Sequence, residues 1–138
     1  MTDTISIELQ AGLVAFLRAH AGLSALIDGR VYDQPPVGNR LVYPYVRIGA
    51  IEPRPLHADG ATSERVTFSI EAHTRQKSGG RIPVSKIAGQ VKAALDGHTV
   101  DLATHSMVSL NWVTQTINQI SDRNGYVAIS VFSSVIDE

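Results

Sequence analysis

Residues Val66 to His73 alternate without a fault, with Val66, Phe68, Ile70 and Ala72 on one side and Thr67, Ser69, Glu71 and His73 on the other. A period of two marks a strand with one buried face. A polar, glycine-bearing stretch, Arg75 to Arg81, follows it, and Pro83 to Leu95 then sets Val84, Ile87, Ala88, Val91 and Leu95 at helical spacing. Pro83 suits the first helical turn, where its missing N–H costs nothing, and Gly97 suits the position just past the end. A half-buried strand feeding an amphipathic helix needs a sheet and a shared core. The flanking segments must supply both.

They do so in a readable order. Ile5, Leu9, Leu13, Phe16 and Leu17 recur at steps of three and four, which predicts an amphipathic helix capped by Asp3 or Thr4, with Glu8 placed to suit the helix dipole. Leu23, Leu26 and Ile27 predict a short helix closed by Asp28-Gly29, and Arg30–Tyr32 a short strand. The prolines and glycine of residues 33–39 predict a loop. Tyr45 to about Ile51 reads as a strand, and Glu52 to Gly60, with two more prolines, as an exposed mobile loop.

After an extended piece at Thr99–Leu102, Ser106–Ile117 reads as a strand with Val108, Leu110 and Trp112 on one face. The alternation then shifts to Val113 and Ile117, which predicts a bulge or a change of partner. Asp122-Arg-Asn-Gly125 has hairpin-turn chemistry. In the closing strand Val127, Ile129, Val131 and Val135 point one way, and Tyr126, Ser130, Phe132 and Ser134 the other. The expected fold is an α+β two-layer domain: a largely antiparallel, mixed sheet with both long helices packed on one face.

A chain of 138 residues fits a single domain spanning 1–138, and a hydrophobic fraction of 43% suffices for a core. No cysteine is present, which excludes disulfides, thiolate metal sites and cysteine nucleophiles. The opening Met1-Thr-Asp-Thr has no signal-peptide character, and no apolar run approaches a membrane span, so a soluble protein made in the cytoplasm is expected. The net charge of −1 argues against a dedicated nucleic-acid binder. Charge is nonetheless uneven: residues 40–92 sum to +5 and the remainder to −6. That is either a plainly solvated surface or a subunit with complementary faces able to pack head-to-tail in a ring.

Chemistry is hard to find. The five histidines (His20, His57, His73, His98, His105) show neither helical i, i+4 nor His-x-His spacing, so no metal site is expected, nor any cofactor. Serines are frequent, but no Gly-x-Ser-x-Gly occurs; a hydrolase built on His73 or Ser109 is the weakest reading. Gly79-Gly80-Arg81 before a helix lacks the phosphate-loop frame. Arg75, Lys77 and Arg81 open a basic 75–92 segment that could serve a small nucleic-acid-binding or regulatory module, though no aromatics are interleaved for base stacking. Trp112 and the tyrosines at 32, 43, 45 and 126 fit core or interface better than a ligand box.

Leu23-Ser-Ala-Leu-Ile-Asp-Gly-Arg-Val-Tyr-Asp33, then Pro35-Pro36, then Tyr43-Pro-Tyr-Val-Arg-Ile-Gly49 resembles a family of small proteins encoded in phage tail operons. The Val66–His73 strand, Gly79-Gly80, a helix ending Ala94-Leu95 and a closing strand pair extend the resemblance over nearly the whole chain. It implies a tail completion protein, either tail terminator or head-to-tail joining protein, similar in fold to the lambda-type terminator and present also in gene transfer agents. By that resemblance the protein is non-enzymatic and forms a homo-hexameric ring at the head-proximal end of the tail tube. Its partners would be the tube protein and the head-proximal connector, with no membrane and no specific nucleic acid, and it would pass from host cytoplasm into the particle. Arg54, His57, Arg75, Lys77 and Arg81, all expected in loops, are the candidates for ring or tube contacts.

Overall fold

The computed structural model describes residues 4–58, 61–75, 80–120 and 125–137, with 57, 58, 61 and 62 described by backbone alone. Helix α1 (Ile5–Ala19) begins at Thr4, whose hydroxyl accepts from the Ile7 amide at 3.3 Å. Its leucines 9, 13 and 17 are fully buried. The chain bends by 83° into α2 (Ala21–Ile27), which ends on Asp28 in the left-handed region (φ 53°). Strand β1 (Val31–Tyr32) is tied to the end of α1 by Arg18, which donates twice to the Val31 carbonyl, at 2.7 and 3.1 Å. Among the described residues no single helix is long and apolar enough to cross a membrane.

Strands β2 (Tyr45–Ala58) and β3 (Ala61–Arg75) form one long antiparallel pair. Helix α3 (Ile82–Leu95) follows, then β4 (Ser106–Gln119) and β5 (Gly125–Asp137). The sheet order is β1-β2-β3-β5-β4, with β1 parallel to β2 and every other pair antiparallel. The helices cover one face, so the expected α+β two-layer architecture with a mixed sheet is what the chain adopts. Phe68 and Phe132, paired across β3 and β5 with centroids 5.5 Å apart, sit at the centre of the core. Burial of each such side chain contributes on the order of 1.5–3 kcal/mol.

The predicted mobile loop at Glu52–Gly60 is a correction. β2 runs through it to Ala58, with a register shift between Ile48 and Ile51. The prolines mislead because they forbid only interior pairing. β1 pairs with β2 only at Val46 and Arg47, so Pro53 and Pro55 lie on a stretch whose outer edge has no strand beside it, where proline is tolerated. Residues 59 and 60 lie outside the described residues, as do the first three residues of the turn predicted at Asp122–Gly125, whose Gly125 begins β5.

Two further differences concern strand faces. β4 carries the predicted bulge between Trp112 and Thr114 and a second between Met107 and Ser109. The second turns Val108 outward, 56% exposed, while Leu110 stays buried. In β5 the more apolar side is not the core side. Ala128, Ser130, Phe132, Ser134 and Ile136 are buried beneath the helices, and Val127, Ile129, Val131 and Val135 are half-buried on the helix-free face. The serines survive burial because they are hydrogen-bonded: Ser134 Oγ donates to the Ser109 carbonyl at 2.7 Å, and Ser130 Oγ reaches Gln115 at 3.5 Å.

Candidate interaction surfaces

The five candidate contact residues do not form one site. Arg54 lies on β2, in register with Arg65, and His57 three residues further on, in register with Thr62; both belong to a strand, not to a loop. Arg54 is well exposed and pairs with Glu52 at 2.7 Å. Arg75 ends β3 and Arg81 precedes α3, at the other end of the sheet. Arg65 and Arg75 are ten residues apart on one strand, which at strand rise is roughly 33 Å. Lys77 lies outside the described residues. The candidates therefore divide between two opposite ends of the molecule.

At the Arg75 end a cluster of rings occupies the helix-free face. Register places Tyr32 beside Arg47, and Tyr45 beside His73. The Tyr45 and His73 rings stack at 4.8 Å, and Tyr45 also meets Tyr43 at 5.2 Å and Tyr32 at 6.0 Å. The Arg75 guanidinium lies 5.1 Å above the Tyr43 ring. Burial, and secondarily the neighbouring Tyr43, pushes the Tyr45 phenol above its ordinary value. Glu71 accepts from His73 at 2.9 Å, and the Arg47 Nε lies 4.0 Å away from the same oxygen. Sequence spacing could not show this cluster, because its members come from three strands and a connecting segment.

A shallow groove of about 280 Å³ opens beside it, lined by Leu26, Pro44, Ile82, Pro83, Lys86 and Ile87. Ile82 is 65% exposed. Among the described residues no group of three or more histidines and carboxylates converges as metal ligands would. The arrangement is one of surfaces, with apolar and cationic groups exposed around rings that are themselves buried or half-buried.

Residues 11–137 match the family of tail completion protein gp17. The chain belongs to that family. The fold of this tail completion protein is also similar to a chain in the virion of a native gene transfer agent (GTA) particle. The TM-score is 0.88 at 24% identity, over 99% of this chain and 100% of that one. Among curated proteins no match was found.

Two other readings of the sequence fare differently in the tail completion protein's structure. His73 and Ser109 do not meet: β5 lies between their strands, and Ser109 is in register with Val135 and through it with Arg65, eight residues from His73 along β3. That is roughly 26 Å. Among the described residues the basic 75–92 segment does not present one stripe. Arg81 lies over the Tyr126 ring at 5.5 Å, Lys92 over the Trp112 ring at 4.1 Å, and Lys86 faces the groove.

One functional-looking residue carries a role that spacing did not reveal. Glu8 is buried, and its carboxylate accepts from the Thr104 amide at 2.8 Å, the Thr104 hydroxyl at 2.5 Å, the His105 amide at 3.2 Å and His105 Nδ1 at 3.0 Å. These bonds, the Thr104 hydroxyl foremost, pull its pKa down to about 2. Helical position suggested only a dipole partner. The acceptor role arises because the segment leading into β4 folds back over α1.

Proposed function

We propose that this protein completes the tail of a phage or gene transfer agent particle by forming a homo-hexameric ring at the head-proximal end of the tail tube. There it stops tube growth, joins the tail to the head connector, or both. The family match over residues 11–137 carries this reading. The mechanism is occlusion and docking, not catalysis: the ring covers the growing end of the tube and offers its opposite side to the connector. The division of candidate residues between two ends supports it. Arg54 and His57 at one end, and Arg75 and Arg81 at the other, suit a protein held between two axial partners. The protein is made in the host cytoplasm and leaves it within the particle.

Electron microscopy of particles from cells lacking the gene tests this directly. Overlong tubes are expected if the protein terminates growth, and tails of normal length lying apart from filled heads if it joins. Intact particles of normal dimensions would overturn the tail reading, and salt-sensitive retention of DNA by the purified protein would then favour a nucleic-acid role.

A further inference from the structure

The two edges of the sheet are built differently. On one side, beyond the short β1, the edge of β2 carries Pro53, Pro55 and the Glu52–Arg54 ion pair. Proline and charge are the usual means by which an edge strand is kept from pairing. On the other side β4 presents fourteen residues with no proline, no glycine and no charged side chain. Its two bulges turn Val108 and Val113 out, 56% and 52% exposed. One edge is guarded by proline and charge; on the other the Gly97 amide donates to the Leu110 carbonyl and the Trp112 amide to Asp96 Oδ1, both at 2.9 Å, so the middle of β4 is covered and the exposed Val108 and Val113 stand on either side of that cover.

Exposed apolar side chains and charge follow the same division. The connection between β1 and β2 carries Val37 and Val42, 82% and 50% exposed, and leads to Pro44 in the groove with Leu26 and Ile82. Residues 34–58 hold Arg40, Arg47 and Arg54 against the single acid Glu52. Residues 93–120, which supply β4 and the segment leading to it, hold Asp96 and Asp101 and no lysine or arginine. With Asp33, which opens the β1–β2 connection, and Lys92, which lies over Trp112 of β4, counted in, the β1–β2 flank is apolar with a small basic excess and the β4 flank apolar with a small acidic one, and sheet order sets them on opposite sides.

We infer that the β4 edge of one protomer docks head-to-tail on the β1–β2 flank of a second copy of this chain, Val108 and Val113 packing against the surface that carries Val37, Arg40 and Val42. The inference rests on the ring reading and deepens it. A closed ring requires unlike patches on opposite flanks of each subunit, whereas a two-fold dimer requires one self-complementary patch. Opposite net charge on the two flanks sets the orientation and disfavours β4 against β4. The contact leaves both ends of the sheet free for axial partners.

Because the chain has no cysteine, single cysteines report contacts cleanly. V113C and V42C proteins are mixed, treated with a short bismaleimide linker, and resolved by size, both at high concentration and in assembled particles. The expected result is a crosslinked pair only in the mixture, and a ladder beyond dimer from the V113C/V42C double variant. V113C crosslinking to itself would overturn the inference in favour of a two-fold contact. Rings visible by electron microscopy in the same sample without the mixed crosslink would overturn it while leaving the ring reading standing. Protein that stays monomeric even on tail tubes would overturn both. As a second measurement, V113K abolishes assembly and V113K with R40E restores it; failure of the pair to recover assembly counts against the contact.

Discussion

Glu8 and Thr104, ninety-six residues apart, are joined by two hydrogen bonds, from the Thr104 amide at 2.8 Å and from its hydroxyl at 2.5 Å. The bonds close the first helix onto the segment that introduces β4, so the start of the fold and the last strand of the sheet order are held together by one carboxylate.

That carboxylate makes stability pH-dependent. The donors around it hold the carboxyl down at about 2, below its ordinary 4.5, so the stabilisation is present in full above about pH 4.5 and is lost as pH falls toward 2. Chemical denaturation of the wild type at pH 7 and pH 3 is expected to show a drop that Glu8→Gln, already destabilised at pH 7, shows to a smaller extent. Equal pH dependence in the two proteins would show that Glu8 is not the responsible group.

Phe68 and Phe132 stack across β3 and β5, and both are at most 1% exposed. Phe132→Ala is expected to cost about 3–5 kcal/mol, a large part of the roughly 5–15 kcal/mol of a typical domain. Because the rings touch, the double substitution with Phe68→Ala should cost less than the two singles together. Urea titrations of the four proteins decide this.

Gly125 begins β5 where a Cβ would stand 1.9 Å from the Thr74 carbonyl oxygen. The obstacle is backbone, so Gly125→Ala must push β5 from β3, with an expected loss of roughly 1–3 kcal/mol or more. At Gly49 the nearest obstacle is the Ser69 hydroxyl at 2.2 Å, a side chain that can rotate away. Gly49→Ala is therefore the milder change, although it disturbs the bond that Ser69 Oγ accepts from the Ala50 amide at 3.0 Å. Thermal melts of the two variants should rank them in that order.

Lys92 lies 4.1 Å above the ring of Trp112, the chain's single tryptophan. Lys92→Met keeps most of the packing and removes the cation, so a loss of about 0.5–1 kcal/mol is expected, with a change in tryptophan emission in the folded state. An unchanged spectrum would show that the ammonium does not rest on the ring in solution.

Arg54, by contrast, pairs with Glu52 in full view of solvent, 73% and 60% exposed. Such pairs contribute little, so Arg54→Ala should alter stability by less than about 0.5 kcal/mol. If the hairpin end meets an axial partner, the same variant impairs particle assembly while its melting curve stays in place, and counting intact particles alongside the melt separates the two effects.

Much of this was legible in the residues themselves. The helix at Ile82–Leu95, its Pro83 start and its Gly97 stop, the left-handed Asp28, and the buried Val66–Ala72 face follow from local periodicity and backbone sterics, which act within a few residues. Tertiary structure alone decided the rest, because those outcomes depend on which groups distant segments bring close. Pro53 and Pro55 remain in a strand because among the described residues no strand pairs with that edge, and the serine side of β5 became the core side because Ser109 and Gln115 on β4 satisfy its hydroxyls. Gly125 is required by the carbonyl of Thr74, and Glu8 is buried because Thr104 and His105 supply four donors to one carboxylate. Periodicity reports that a face is buried. Which face, and against what, is settled by the hydrogen bonds and close approaches that only the assembled sheet provides.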